Sequence, residues 1–278
     1  MFSLTVSLIL SLSPVADSTT LEAILQKADR GKWAEQEVGD RVARVAIEFL
    51  GTPYVGGTLD TDPKSEVCTV LFDGLDCVTF AETSLAIARA LREKKSPTLQ
   101  DIISQVTFTR YRGGKVDGYV SRLHYTSDWI LDGVAKKSVV NLADGHKLSK
   151  PWPNSIGFMT TNADKYPALN ANAELVPRLR KWEEALEKAH KPYFSPDVVP
   201  KIESELRSGD IIAFTDARKG LDCAHVGVVY MEKGKPRVLH ASSTKKKVIR
   251  DGSPSEMLAN SSRFTGIMVA RPIERPSR

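Results

Sequence analysis

Cysteine is scarce in this chain: Cys68, Cys77 and Cys223 are the only thiols in 278 residues. The count is odd and no CxxC occurs, which excludes a disulfide-stapled scaffold and a thiolate zinc site of ordinary spacing. HExxH is missing too, and with it the helix-borne zinc hydrolase pattern. Basic residues are not interleaved with aromatics as in single-strand binders, and no recognition-helix or zinc-finger signature occurs. The net charge of +5 therefore permits an anionic partner without pointing to nucleic acid. Lys245, Lys246 and Lys247, the densest basic run, read as a solvated hairpin edge.

Long apolar runs are absent as well. Residues 2–12 (FSLTVSLILSL) are the one such stretch, too short to span a bilayer. Pro14, Val15 and Ala16 follow it, giving the apolar centre and small-residue end of a secretory signal. The usual positive start is missing, since no Lys or Arg precedes Lys27. Residues 1–16 are read as a signal segment, with export to the periplasm or cell envelope expected. Residues 17–278 are read as one domain, in which 110–200 form an insertion or a cleft-lining region.

Hydrophobic residues make up 41% of the chain and charged residues 26%, enough for a sizeable core. Apolar spacing predicts helices over 19–31, 40–50, 77–93, 98–108 and 172–190, with Asp40 as a candidate cap for the second. Short strands are expected at 67–72 and 137–142. The last third changes period, with strands at 210–214, 226–230, 237–241, 247–250 and 266–270. Lys233 and Gly234 mark a hairpin between two of them. Successive short strands joined by turns favour an antiparallel sheet, so the fold class is α+β.

The stretch Gly74-Leu-Asp-Cys-Val-Thr-Phe-Ala-Glu82 carries the chemistry. Asp76 can cap a helix on which Cys77, Ala81, Leu85, Ala88 and Leu91 share a face. Cys77 would then sit in the first turn, where backbone N–H groups favour a thiolate. His225 and His240 lie 15 residues apart across the hairpin, and antiparallel strands can bring them together. In this reading Cys77 is the nucleophile, His225 the base and His240 the residue that orients the base. Residue spacing leaves open a metal site of His225, His240 and Asp222, or a binding module without catalysis. Arg110, Arg112, Arg122, His124, Tyr125, Asp128 and Trp129 either line a substrate cleft or form a polar loop braced by its own salt bridges.

The motifs LDC at a helix start, GDIIAF, HVGVVY and LHAS resemble the NlpC-type bacterial cell-wall cysteine peptidases, relatives of papain. Most members have a serine after the cysteine, whereas this chain has Val78 and then Thr79. GTPYVGG, GLDCVTFAE, the Arg122–Trp129 stretch and GIMVARP resemble an N-acetylmuramoyl-L-alanine amidase-like branch, from about Arg41 to Pro272. The resemblance implies a papain-like α+β fold with its nucleophile at a helix start packed on an antiparallel sheet. It implies a catalytic triad of Cys77, His225 and His240, no metal and no cofactor. Tyr54, Asp76, Arg122, His124, Tyr125, Asp128 and Trp129 are expected at the substrate. That substrate is peptidoglycan or a muropeptide, cut between muramoyl and L-alanine or, alternatively, between D-glutamate and the diamino acid. Peripheral association with the cell envelope goes with such a substrate.

Overall fold

The computed structural model describes residues 18–60 and 62–274. The expected signal segment lies outside these residues. The helices α1 (Ser18–Arg30), α2 (Val38–Glu48), α3 (Cys77–Glu93), α4 (Leu99–Arg110) and α5 (Thr126–Ala135) lead to the short strand β1 (Val139–Asn141). A middle region follows: β2 (Lys150–Pro151), α6 (Phe158–Thr161), α7 (Pro167–Ala171), α8 (Leu175–Lys188), β3 (Pro192–Tyr193) and α9 (Val199–Ile202). The last third holds β4 (Ile211–Asp216), β5 (Cys223–Glu232), β6 (Lys235–Ser242), β7 (Lys247–Arg250), α10 (Pro254–Ala259) and β8 (Phe264–Pro272). Among the described residues no helix is long and apolar enough to cross a membrane.

The main sheet runs β1-β8-β4-β5-β6-β7, and every neighbouring pair is antiparallel. This is the α+β architecture expected. Side chains alternate across it as the pleat requires. Ala213, Val226, Val228, Leu239 and Ala241 pack toward the helical side with Phe80, Ala81 and Leu85 of α3. Ile212, Phe214, Val229, Val238 and Ile267 pack on the other side with Phe194, Val199 and Ile202. From Thr79 to Leu91, α3 is buried all round, between α2, α4 and the sheet. Ala81, Ala86, Ala88 and Ala90 let its neighbours approach closely.

Three details differ from expectation. Asp40 lies inside α2, whose cap position is Glu37, and no side chain caps that helix. Residues 67–72 form no strand although they are β-branched and apolar. The Thr69 carbonyl in their midst is already taken, because Arg110 Nη1 donates to it at 2.6 Å. Residues 110–200 also contribute to the main sheet, since β1 pairs with β8 in the register Val139↔Pro272.

Candidate functional site

Asp76 starts α3. Its Oδ1 accepts from the N–H groups of Val78 at 3.0 Å and Thr79 at 2.8 Å, while Thr79 Oγ1 accepts from the Asp76 N–H at 2.9 Å. Such a reciprocal cap contributes about 1 kcal/mol and fixes where the helix begins. It sets Cys77 as the first helical residue, part-exposed and unoxidised.

The hairpin turn sets the other half of the site. Lys233 and Gly234 both have positive φ, at 49° and 77°, as a two-residue turn matched to strand twist requires. The register that follows pairs Val228 with Leu239, and described β5–β6 pairing ends there. Val229 donates its N–H to Asp210 O on the β4 side, so by alternation the Val226 N–H points toward β6. The Cys77 sulfur lies in that direction, faced by the N–H groups of Val226, Cys77 and Val78. These donors favour a thiolate, but burial and the neighbouring Asp76 outweigh them and push the thiol up to about 12.

His225 and His240 are diagonal neighbours on the sheet face that carries Val229 and Val238. Their rings meet edge to face at 4.6 Å and 88°, and His225 Nε2 stands 2.7 Å from His240 Nδ1. The His225 ring lies parallel to Phe264 and stacks over Phe214. Burial, followed by the neighbouring His240 and Arg263, holds His225 down at about 3; burial also lowers His240, against the pull of Asp251. Both rings therefore rest neutral near pH 7. With His225 Nε2 against His240, Nδ1 is the nitrogen turned away from that contact. Among the described residues the thiol makes no hydrogen bond to either ring, so the sulfur and the imidazole pair rest unjoined at the same end of β5.

A cavity of 410 Å³ opens on the imidazole pair, between the 242–245 loop and Asn260, Ser261, Arg263 and Phe264. Asp251 also lines it and accepts from His240 Nε2 at 3.3 Å. None of these walls is marked in the sequence, because they come from loops without periodicity; an acidic residue just after a strand is the one available hint of Asp251. A smaller cavity of 60 Å³ lies between α3, β5 and the 123–129 segment, lined by Val78, Ala81, Glu82, Leu123, His124, Trp129 and Val226 among others.

The remaining expected substrate residues fall into two groups. Tyr54 lies close enough to the thiol for Cys77 to help raise its hydroxyl pKa, behind the larger effect of burial. His124 and Trp129 line the smaller cavity, and burial with nearby Arg122 holds His124 at about 3. Arg122, Tyr125, Asp128 and Asp76 are spent internally instead. Arg122 binds Asp60 and Leu59 O, Tyr125 Oη donates to Glu183 Oε1 at 2.7 Å, and Asp128 takes both Nη atoms of Arg112. Arg110 is buried against Glu82 at 2.7 Å. The 110–129 stretch is thus largely braced by its own salt bridges. Asp222 does not join the imidazoles to make a metal site; its two oxygens accept from the N–H groups of Ser127 and Cys223, both at 2.6 Å.

Fold and site define a mixed helix and antiparallel-sheet protein with a capped helix-start thiol beside an imidazole pair. The chain belongs to the AmiA-like family, described as N-acetylmuramoyl-L-alanine amidase-like, whose model matches residues 44–267. An N-acetylmuramoyl-L-alanine amidase from Bacteroides uniformis ATCC 8492 is similar at 32% identity and TM-score 0.77, over 85% of this chain and 99% of its own. A Bacteroides fragilis protein with a provisional xylanase name is similar at 35% identity and TM-score 0.73, over 82% of this chain and 98% of its own. Protein LPG0564 from Legionella pneumophila shares 20% identity, over 92% of this chain and 98% of its own, at TM-score 0.66, a likeness of fold alone. No curated protein matches the chain.

Proposed function

We propose that this protein is a cysteine amidase of the papain-like, NlpC type. It hydrolyses the amide between the muramoyl lactyl group and L-alanine in peptidoglycan or muropeptides, outside the cytoplasm. The observation that carries the reading is the placement of the Cys77 sulfur beside the Val226 N–H, one residue along β5 from the His225–His240 pair. The family match supports the bond class.

In this mechanism His225 Nδ1 takes the Cys77 proton as the sulfur attacks the lactyl carbonyl carbon. The thiol and imidazole rest neutral and apart, the rings packed with Phe214 and Phe264 on the sheet face away from α3, so in this mechanism their contact has to form in the substrate complex. The Val78 and Thr79 N–H groups are held by Asp76, so the Cys77 N–H is the donor for the oxyanion. The C–N bond breaks and the L-alanine amine leaves with the proton from His225. A water, deprotonated by the same nitrogen, hydrolyses the thioester and restores the thiol.

Purified protein incubated with defined muropeptides, followed by mass spectrometry, tests the reading. Release of an intact peptide beginning with L-alanine is expected, and Cys77→Ala abolishes it. Release of a peptide beginning at the diamino acid would reassign the bond. No turnover by the wild-type chain would make it a binding module, and full turnover by Cys77→Ala would remove cysteine catalysis.

A further inference from the structure

We infer that Asp251 is a positioning residue that sets the tautomers of both imidazoles, and so selects the nitrogen of His225 that acts as base. The kinetic part rests on the cysteine mechanism proposed above; the tautomer assignment stands without it. Asp251 directly follows β7, and its backbone N–H donates to Val238 O at 2.8 Å, which ties it to β6. The carboxylate is pinned at both ends. Its Oδ1 accepts from the Gly252 N–H at 2.7 Å, and its Oδ2 faces His240 Nε2 at 3.3 Å.

A carboxylate is acceptor-only, and a neutral imidazole has one N–H. If the His240 proton were on Nδ1, the Nε2 lone pair would face the Asp251 oxygen with no proton between them. The proton therefore sits on His240 Nε2, and His240 Nδ1 is an acceptor. Across the 2.7 Å contact His225 Nε2 must then be the donor. The lone pair of His225 is left on Nδ1, free to take a proton from a thiol. Asp251 touches neither the sulfur nor the substrate carbonyl in this scheme; it acts through His240. Arg263 and Lys245 are the other charged residues lining the cavity with Asp251.

The pinning makes an unusual prediction for Asp251→Asn. The Gly252 N–H favours an acceptor at Oδ1, so the asparagine oxygen takes that place and its NH2 faces His240 Nε2. That nitrogen must then accept, the His240 proton moves to Nδ1, and His225 is left with its proton on Nδ1. The isosteric variant therefore presents a protonated nitrogen to the thiol. Asp251→Ala merely releases the constraint, and Asp251→Glu can restore it.

The experiment is 15N NMR of the histidine rings in the full chain, combined with kcat and KM on a muramoyl–L-alanine substrate. With five histidines in the protein, the ring signals can be assigned by single substitutions. Wild type is expected to show Nε2–H on both His225 and His240. Asp251→Asn should show Nδ1–H on both, and kcat should fall by about 10²-fold or more at near-constant KM, within the range a positioned base supplies. Asp251→Ala should show mixed tautomers and a smaller loss. Wild-type tautomers in Asp251→Asn, or wild-type kcat in that variant, would overturn the inference. Failure of the cysteine mechanism is read separately, from turnover by Cys77→Ala, and the ring spectra still decide the role of Asp251.

Discussion

Gly227 packs closely against the Val238–His240 segment of β6, with no room for a side chain between the two strands. A Cβ at Gly227 would stand 2.5 Å from Val238 Cγ1, 2.9 Å from Leu239 O and 3.4 Å from His240 Cβ. One of those distances is to backbone, which cannot swing away. Gly227→Ala should push β6 outward and lengthen the 2.7 Å contact between the two histidines. We expect a stability loss of about 1–3 kcal/mol by urea denaturation, and a fall in kcat larger than that of an equally destabilising variant elsewhere in the sheet. A fully active, equally stable Gly227→Ala would show that the imidazole pair does not depend on this close approach.

The thiol should be sluggish toward alkylating reagents at neutral pH. Burial and Asp76 hold Cys77 up at about 12, so the thiolate is scarce at pH 7. Iodoacetamide labelling of Cys77, followed by mass spectrometry, should accelerate steadily from pH 7 to pH 10 without levelling off. Asp76→Asn keeps an oxygen for the cap and removes the repelling charge, and should raise the rate at each pH. A plateau near pH 6 would instead indicate a resting thiolate–imidazolium pair.

Acid should destabilise the fold early. His225 and His124 are both held at about 3, mainly by burial, and His240 is lowered for the same reason. Each binds a proton more readily when unfolded, near pH 6.5, than when folded. Their contribution is fully present above about pH 6.5 and is lost as pH falls from there toward about 3. Urea midpoints should drop between pH 7 and pH 4, and His124→Gln should flatten part of that slope. Equal midpoints at the two pH values would contradict the neutral, buried state of these rings.

The Arg110–Glu82 pair should behave as a unit. Both side chains are buried, and Arg110 also holds Thr69 O. Removing Glu82 alone strands a buried guanidinium and should cost about 3–5 kcal/mol. Glu82→Leu combined with Arg110→Met should cost much less than the two single changes added together, as a double-mutant cycle would show. Simple additivity would mean that the two side chains do not share their desolvation.

Much of this arrangement is legible in the chain because it rests on local rules. The Asp76 cap, the apolar faces of α3 and α4 and the turn at Lys233 and Gly234 all follow from residues close in sequence. The turn fixes register, and register brings His225 and His240 together. What is not legible depends on choices among distant partners. Arg110, Arg112 and Arg122 are visible as charges, but nothing local says that Glu82, Asp128 and Asp60 would claim them. Residues 67–72 have strand composition, yet Arg110 takes the Thr69 carbonyl that a neighbouring strand would have used. The walls of the larger cavity come from two loops that meet only after β5, β6 and β8 are in place.

The placement of Cys77 on an early helix, and of its imidazole partners on a late hairpin, orders events at synthesis. Cys77 precedes His225 by 148 residues. Emerging from the ribosome, α3 carries a thiol with no base beside it and no sheet to pack upon, and β1 must wait for β8 at the far end of the chain. Topology of this kind slows folding, since distant segments must meet before their contacts are gained. It also means that a nascent chain stopped before β6 holds Cys77 without the His225–His240 pair. The pair comes into being only once β5 and β6 have both emerged.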